Sequence, residues 1–474
     1  MKVRNPDIQV IFTSLDGDKI EIDSVEFGGE ILSITTKKEM DSPAGSFSIT
    51  MIGRTNYSYI FKTKKKNVSA YEIFRPASLV DIYINKQEVM LGMVDDIRKS
   101  VSISDDGKPI RTWIITGRDL GAFLIDYKVW YDEVLNIDKN RLQQNPFLKG
   151  LSAFGVMSNI KAPELIEKIV NTWMFDVMSK PAGKLTFADK KFLSDKFVAS
   201  IGKGIATTCY TDIIPLQFNM MSNNADLWNY IKQASNFPFN ELFVDTGSSP
   251  GKEVEHSLTT TEKVRLQEGK VYLIFRSTPF DNFKLNNNKS GVTSQLDFND
   301  LKMHEIDDTL IQQKDLGLNR NFNPSVYYIV PNGGIVLSSL GKKFVPPEYD
   351  NIKLQRYGYI PLEINLTGIT FGKEGESNQG TLMDRCAKFQ KKAMEWYQNL
   401  DRMLSGKFTV YGDPSIRIGQ AIHYKKDEFL QIEDEYEEGY YYIKAVDNKW
   451  VYGQNYITDV SVIRGLSKKE FGIS

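Results

Sequence analysis

The stretch from Gly406 to Gly465 constrains this 474-residue chain more than any other. Lys407–Tyr411 and Ser415–Ile418 alternate in residue type around a Gly-Asp-Pro turn, and Tyr440–Val446 and Asn455–Ile463 add two β-rich runs. Alternation of this kind places one face of a strand in a core and the other toward water. Directly before it, Leu382, Cys386, Phe389, Ala393, Trp396, Leu400 and Met403 recur at steps of four and three, a heptad seam on one helix face. So short a seam is expected to pack on its own sheet, with Gly406 ending the helix. A long helix feeding a compact antiparallel sheet is thus the expected unit, and it carries no recognisable chemistry.

The rest of the chain repeats and decorates that unit. Residues 1–121 read as a first β domain: Ile8–Phe12 and Lys19–Ile22 flank the hairpin signal Asp16-Gly17, followed by Ile31–Thr36, Ser46–Ile52, Leu79–Asn85, Glu88–Val94, Arg98–Ser104 and Pro109–Thr116. The run Phe61–Lys66 between them reads as a solvated loop. Residues 122–222 read as a mixed helix and loop domain, with a helix from Pro163 to Met178 and strands at Phe197–Ile201 and Ile213–Phe218. Residues 223–280 and 357–474 together form the second β domain. In its first part Asn224 is the expected cap of a short helix, and Asn240–Asp245 pairs with Val271–Arg276. Residues 281–356, polar and turn-rich around Asn286–Asn288 and Pro331–Gly334, read as an inserted loop-rich domain containing one strand, Val326–Val330. The fold class is α+β, mostly β.

Composition excludes several function classes. Fifty-nine basic and 60 acidic side chains leave a net charge of −1, which gives no chain-wide attraction to nucleic acid or anionic membrane. Two cysteines, Cys209 and Cys386, rule out a disulfide framework at this length and point to a reducing compartment. The first residues, MKVRNPDIQVIF, lack the apolar core of a signal peptide, and no run reaches the ~20 apolar residues of a membrane span.

A search for chemistry finds no catalytic set, no cofactor site and no metal site. His256, His304 and His423 are far apart in sequence, and His304-Glu305 with Asp307-Asp308 reads as a surface turn before a metal site. Ser200–Thr208 lacks the spacing of a phosphate loop. Asp95 and Asp96, adjacent on a strand, point to opposite faces and do not converge on one substrate atom. The acidic run Glu433–Glu438 lacks calcium-ligand spacing. A peptidoglycan hydrolase needs two carboxylates about 5–10 Å apart in a cleft, and nothing singles out a pair. The chain therefore reads as a structural protein, not an enzyme. A peptidoglycan hydrolase and a receptor-binding module, the latter prompted by Tyr440–Tyr442, stand as alternatives.

Three groups of residues carry a family resemblance. Ser42–Phe47, Leu91–Ile97 and Ile115–Leu120 resemble the N-terminal half of bacteriophage tail baseplate hub proteins. Asn240–Phe243 with Phe275–Asp281 resembles their middle, and Gly412–Gly419 with Tyr441–Ile443 and Arg464-Gly465 resembles their end. The resemblance implies two tail-tube-like antiparallel β-barrel domains per chain. It also implies a homotrimeric ring that adapts a sixfold tail tube to a threefold spike, as in phage tails, tail-like bacteriocins (tailocins) and contractile injection systems. Implied partners are the tail tube protein, the central spike or tail-tip protein, the tape measure protein and baseplate wedge proteins, with no stable nucleic-acid binding. The implied location is the virion tail or baseplate, assembled in the bacterial host cytoplasm. Any spike or lysozyme part is expected on a separate polypeptide. Asp413 and Arg417 are expected at the surface or an interface.

Overall fold

A computed structural model of the chain describes residues 5–14, 17, 19–53, 56–60, 65–103, 107, 109–126, 163, 166–167, 170, 195–202, 226–279, 296–319, 323–331, 346–366, 379–425 and 436–467. The N-terminal strands are β1 (Ile8–Thr13), β2 (Lys19–Asp23), β3 (Ile31–Glu39), β4 (Ser46–Ile52), β5 (Asn56–Ile60), β6 (Lys65–Ser69), β7 (Leu79–Ile84), β8 (Gln87–Ile103) and β9 (Pro109–Asp119). The middle contributes β10 (Phe197–Ile201), β11 (Asn240–Thr246), β12 (Val254–Ser257), β13 (Lys263–Leu266) and β14 (Val271–Ser277). Then come β15 (Met303–Asp307), β16 (Ile311–Leu318), β17 (Val326–Pro331), β18 (Glu348–Tyr349) and β19 (Pro361–Leu366), and last β20 (Leu404–Tyr411), β21 (Ala421–Lys425), β22 (Gly439–Val451) and β23 (Ile457–Ser467).

Both ends of the chain belong to one sheet. Its order is β16-β20-β23-β22-β3-β4-β9-β8-β7-β1-β2, with β21 beside β22 and β15 beside β21. The seam between the halves is β3 against β22, antiparallel, from Glu39 opposite Ala445 to Ser33 opposite Val451. Among the described residues this sheet ends at β16 and β2 and closes into no barrel. Strands β15 and β16, from the stretch 281–356, pair with β21 and β20, so that stretch supplies part of the main sheet. Smaller sheets are β10-β14-β11, β12-β13, β18-β17-β19 and β5-β6.

Two apolar cores lie on either side of the seam, and each borrows from the other half. The N-terminal core, built from side chains such as Val10, Ile34, Ile49, Ile82 and Trp113, also contains Trp450 and Tyr456. The second core, around Phe239, Phe243, Phe408 and Tyr441, also contains Met40. Burying whole aromatic side chains contributes roughly 1.5–3 kcal/mol each, so this exchange ties the halves together.

Several local expectations need correction. The runs expected at Glu88–Val94 and Arg98–Ser104 are one strand as far as Ile103, β8, because a bulge at Asp95 lets pairing with β9 continue past the irregularity; Ser104 lies outside the described residues. Lys65 and Lys66 open β6, whereas 61–64 lie outside the described residues. The short helix Leu227–Ala234 is capped by Asp226, whose carboxylate accepts from the Asn229 N–H at 2.7 Å, and not by Asn224. The seam helix spans Gln379–Tyr397; a 3-10 turn follows at Leu400–Arg402, and Gly406 sits inside β20. There a side chain would collide with the Asp315 backbone of β16, which explains the glycine without a helix cap. Cys386, Ala393 and Trp396 are buried, and the helix packs on Phe239 (ring centroids 4.6 Å from Trp396 and 4.9 Å from Phe389) and donates from Gln390 to the Tyr327 carbonyl of β17. Ser415–Ile418 is a turn, since the Asp413 carboxylate accepts from the Ser415 N–H at 3.0 Å and its hydroxyl at 2.6 Å. Of the helix expected over 163–178, Ile166 and Val170 are described, and both are buried. The strand expected at 213–218 lies outside the described residues.

Candidate functional site

Strand phase and register force a set of charged side chains into the interior. On β3, Ile34, Thr36 and Lys38 share the inward face, so the period of two carries a lysine into the core after an isoleucine and a threonine. β11 and β14 are buried along their full lengths. Their antiparallel register sets Glu241 directly opposite Arg276. Buried charges of this kind must find partners.

Two linked networks result. In the first, Asp245 is completely buried and accepts from Lys38 Nζ at 3.2 Å, from His256 Nε2 at 2.9 Å and from the Thr246 N–H at 2.8 Å, with Arg417 3.8 Å away. Lys38 also donates to Thr246 Oγ1 and lies 3.8 Å from Asp119, whose carboxylate caps the Leu120–Ala122 turn through the Gly121 N–H. Arg417 donates to the Glu88 and Val89 carbonyls, and the Glu88 carboxylate accepts from the Gly269 N–H at 2.6 Å. Arg417, expected at the surface or an interface, is therefore buried at 4% exposure within the chain. The Gly-Asp-Pro turn that carries it aims it inward at the first β half.

In the second network, Arg276 has no exposed surface. Its guanidinium pairs with Glu241, donates to the Ser257 and Gly419 carbonyls at 2.8 and 2.7 Å, reaches the Tyr442 hydroxyl at 3.2 Å, and lies over the Phe243 ring. Tyr442 in turn donates to Glu241 at 2.8 Å. Gly419 is required here: its φ is +70°, and a Cβ would sit 2.8 Å from the Phe243 ring and 3.0 Å from Arg276 Nη2.

The electrostatics follow from burial. Desolvation raises Asp119 to about 6 despite Lys38, and raises Glu88 to about 8 with Asp81 adding to the shift. At Asp245 burial acts in the same upward sense, but Lys38, Arg417 and His256 overcome it and hold the carboxyl below its ordinary range. Burial lowers His256, so the imidazole is neutral near pH 7 and bonds Asp245 as a neutral donor. Glu241 is raised by burial against the pull of Arg276. These groups face one another inside the protein, and the arrangement fixes geometry across chain segments; Glu241 and Tyr442 also border a cavity.

The other residues singled out in the sequence do not converge. Asp95 holds Arg118 at 2.7 Å and Asp96 holds Arg98, so each has its own partner. His304 lies on strand β15, not in a turn, and bonds Gln420 at 2.7 Å; His423 stacks on Tyr440. Glu437 pairs with Lys314 at 2.5 Å. Tyr441 and Tyr442 are buried in the second core, which removes them from any receptor-facing surface. Of Ser200–Thr208, residues 203–208 lie outside the described residues. Among the described residues no group of three or more His, Cys, Asp and Glu could hold a metal, and no helix is long and apolar enough to cross a membrane.

Sequence comparison is silent: no protein-family model matches the chain, and no curated protein matches it. Solved structures do. The tail protein from Neisseria meningitidis MC58 superposes with a TM-score of 0.50 at 10% identity, over 96% of each chain. A 43 kDa tail protein of prophage MuSo2 from Shewanella oneidensis aligns over 97% of this chain and 98% of its own, at 13% identity and a TM-score of 0.48. The E. coli c3393 protein, a type VI secretion component described as structurally similar to the T4 bacteriophage tail proteins gp27 and gp5, aligns over 92% of this chain and 74% of its own, at 8% identity and a TM-score of 0.39. The Neisseria likeness, over 96% of both chains, shows that this chain shares the fold of that tail protein.

Proposed function

We propose that this chain is a structural baseplate hub of a phage or phage-like tail, acting as a homotrimer. The observation that carries the reading is the β3–β22 seam, through which the first and last parts of the chain make one sheet, within a fold shared along nearly its whole length with a tail protein. In this reading residues 1–121 form one tube-like half. Residues 223–280 with 357–474 form the other, to which 281–356 adds β15 and β16, and 122–222 decorates them. Each half stands for one subunit of a sixfold tube, so three copies present six similar sectors toward the tube and three toward a spike or tail tip. Closure of the tube-like units falls to neighbouring copies. The first buried network, joining Lys38 and Glu88 to Asp245 and Arg417, holds the two halves at a fixed angle, which such a ring requires of every subunit. Tube, tape measure and wedge proteins are the proposed partners, and the role is structural, not enzymatic.

Light scattering coupled to size-exclusion chromatography tests this directly. A mass three times that of the 54.1 kDa chain, with rings in negative-stain images, is the expected result. A strict monomer at high concentration, with no ring in the presence of a cognate tail tube protein, refutes it.

A further inference from the structure

A cavity of about 390 Å³ opens beside the second buried network, where Met40 and Asp41 meet residues from the stretches 232–278 and 397–464. Its walls are mainly apolar, from Met40, Pro238, Leu242, Leu400, Met403 and Ile463. Phe237 stands at the cavity with 59% of its surface exposed, an apolar ring held toward water. Two lining or flanking positions adopt left-handed backbone although neither is glycine: Asn236 (φ 58°), between lining residues Ser235 and Phe237, and Arg464 (φ 51°). Such conformations cost about 1–3 kcal/mol each and gather at ligand clamps and functional sites. The lining is also cationic. It carries Lys232, Lys444 and Arg464 against Asp41 and Glu241. Asp41 and Lys444 offset each other at 2.7 Å, with Glu39 also 3.7 Å from Lys444, and Arg276 offsets Glu241, so the positive balance of the lining rests on Lys232 and Arg464.

We propose that this cavity is a docking site for an acidic peptide segment of a partner protein, which buries one large apolar side chain against Phe237 and Leu400 and places its carboxylates near Lys232. A cavity of this size accepts an aromatic or leucine side chain with adjoining backbone, and the exposed Phe237 ring closes over it. Charge selects the partner: a basic segment would meet like charge at the rim, where attraction and repulsion are both screened by salt. The site belongs to one subunit and stands whether or not the ring forms.

The test uses the full chain and a fluorescein-labelled peptide, acetyl-Glu-Asp-Phe-Leu-Glu-Asp-amide, read by fluorescence polarisation. Saturable binding is expected that weakens as salt rises. Loss of an exposed aromatic anchor typically costs about tenfold in affinity, the expected effect of Phe237→Ala. Lys232→Glu should weaken binding comparably, and both variants should keep the parent's melting temperature, since neither residue belongs to the buried networks. Peptides with Phe-Leu replaced by Ser-Gly, or with Lys in place of the acids, should not bind. Absence of saturable binding overturns the inference, as does binding unchanged in both variants or equal for the basic peptide. Light scattering on the same samples separates this outcome from failure of the hub reading.

Discussion

Replacing Arg276 by methionine tests whether the buried networks join the chain. The substitution keeps an unbranched side chain of similar length and removes the fork. Glu241, 9% exposed at its side chain, then loses its cationic partner across the strand pair, and the Ser257 and Gly419 carbonyls lose their donor. Breaking a buried pair costs about 3–5 kcal/mol, and each orphaned carbonyl adds about 1 kcal/mol. The sum, roughly 5 kcal/mol or more, rivals the ~5–15 kcal/mol that stabilises a typical domain. Removing the stranded charge as well should restore part of it, so Arg276→Met with Glu241→Gln should recover about 2 kcal/mol over the single variant. Amide hydrogen exchange of β11 and β14, compared with urea unfolding of the whole chain, reads the opening energy of this region. An Arg276→Met protein within about 1 kcal/mol of the parent, or a double variant no better than the single one, refutes the view that this network holds the segments together.

Other outcomes follow from the same geometry. Gly419→Ala combines positive φ with a Cβ pressed against Phe243 and Arg276, and should cost about 2 kcal/mol or more in urea unfolding. Trp396→Ala should cost about 3–5 kcal/mol and free the Gln379–Tyr397 helix to early cleavage in limited proteolysis, because it empties the contact with Phe239. Stability should also depend on pH in two opposite senses. Glu88, raised from 4.5 to about 8, and Asp119, raised from 3.8 to about 6, bind protons more tightly folded than unfolded. Stability therefore falls as pH rises from their ordinary values through these folded values, and is flat above. Asp245, held below its ordinary value, acts oppositely, and its contribution is lost as pH falls below 3.8. Melting temperature should thus peak in mildly acidic buffer, and Glu88→Gln should flatten the decline between pH 4.5 and 8. An unchanged slope in that variant counts against Glu88 as its source.

Elements with local causes were legible in the sequence. Strand β4 matches its alternating run at both ends, and β1 and β2 pair as the expected hairpin, with the Gly17 N–H donating to the Ser14 carbonyl, because both are set by neighbouring residues. Helix ends were less legible. The heptad spacing continues through Leu400 and Met403, yet the helix stops at Tyr397; Leu400 opens a 3-10 turn and Met403 caps it, just before β20. Periodicity reports which residues seek a core, not whether a helix delivers them there. The Ser415–Ile418 misreading has the same origin: Ile416 and Ile418 alternate because both plug the second core from a turn.

The buried networks were illegible for a different reason. Arg417 bonds residues 328 and 329 positions away, and Tyr442 bonds Glu241 across 201, so no local pattern contains the pair. A weaker signal did exist. Lys38 continues the inward phase of Ile34 and Thr36, and charged residues interrupt the otherwise apolar runs of β11 and β14. A charge in such a phase implies an opposite charge elsewhere, without saying where. The short motifs that carried the family resemblance supply the missing places. Asp119 belongs to the first, Glu241 and Arg276 to the second, Arg417, Gly419 and Tyr442 to the third. Each looked like an ordinary strand-to-turn pattern by itself, and the structure brings them into contact. Exchange of a single member therefore should not be tolerated as a surface change would be, whereas paired exchange of charge and countercharge should be. That pattern of pairwise rescue, tested first at Glu241 and Arg276 within the second half and then at Lys38 and Asp245 across the two halves, separates a joint that sets the angle between them from an accidental cluster of buried charge.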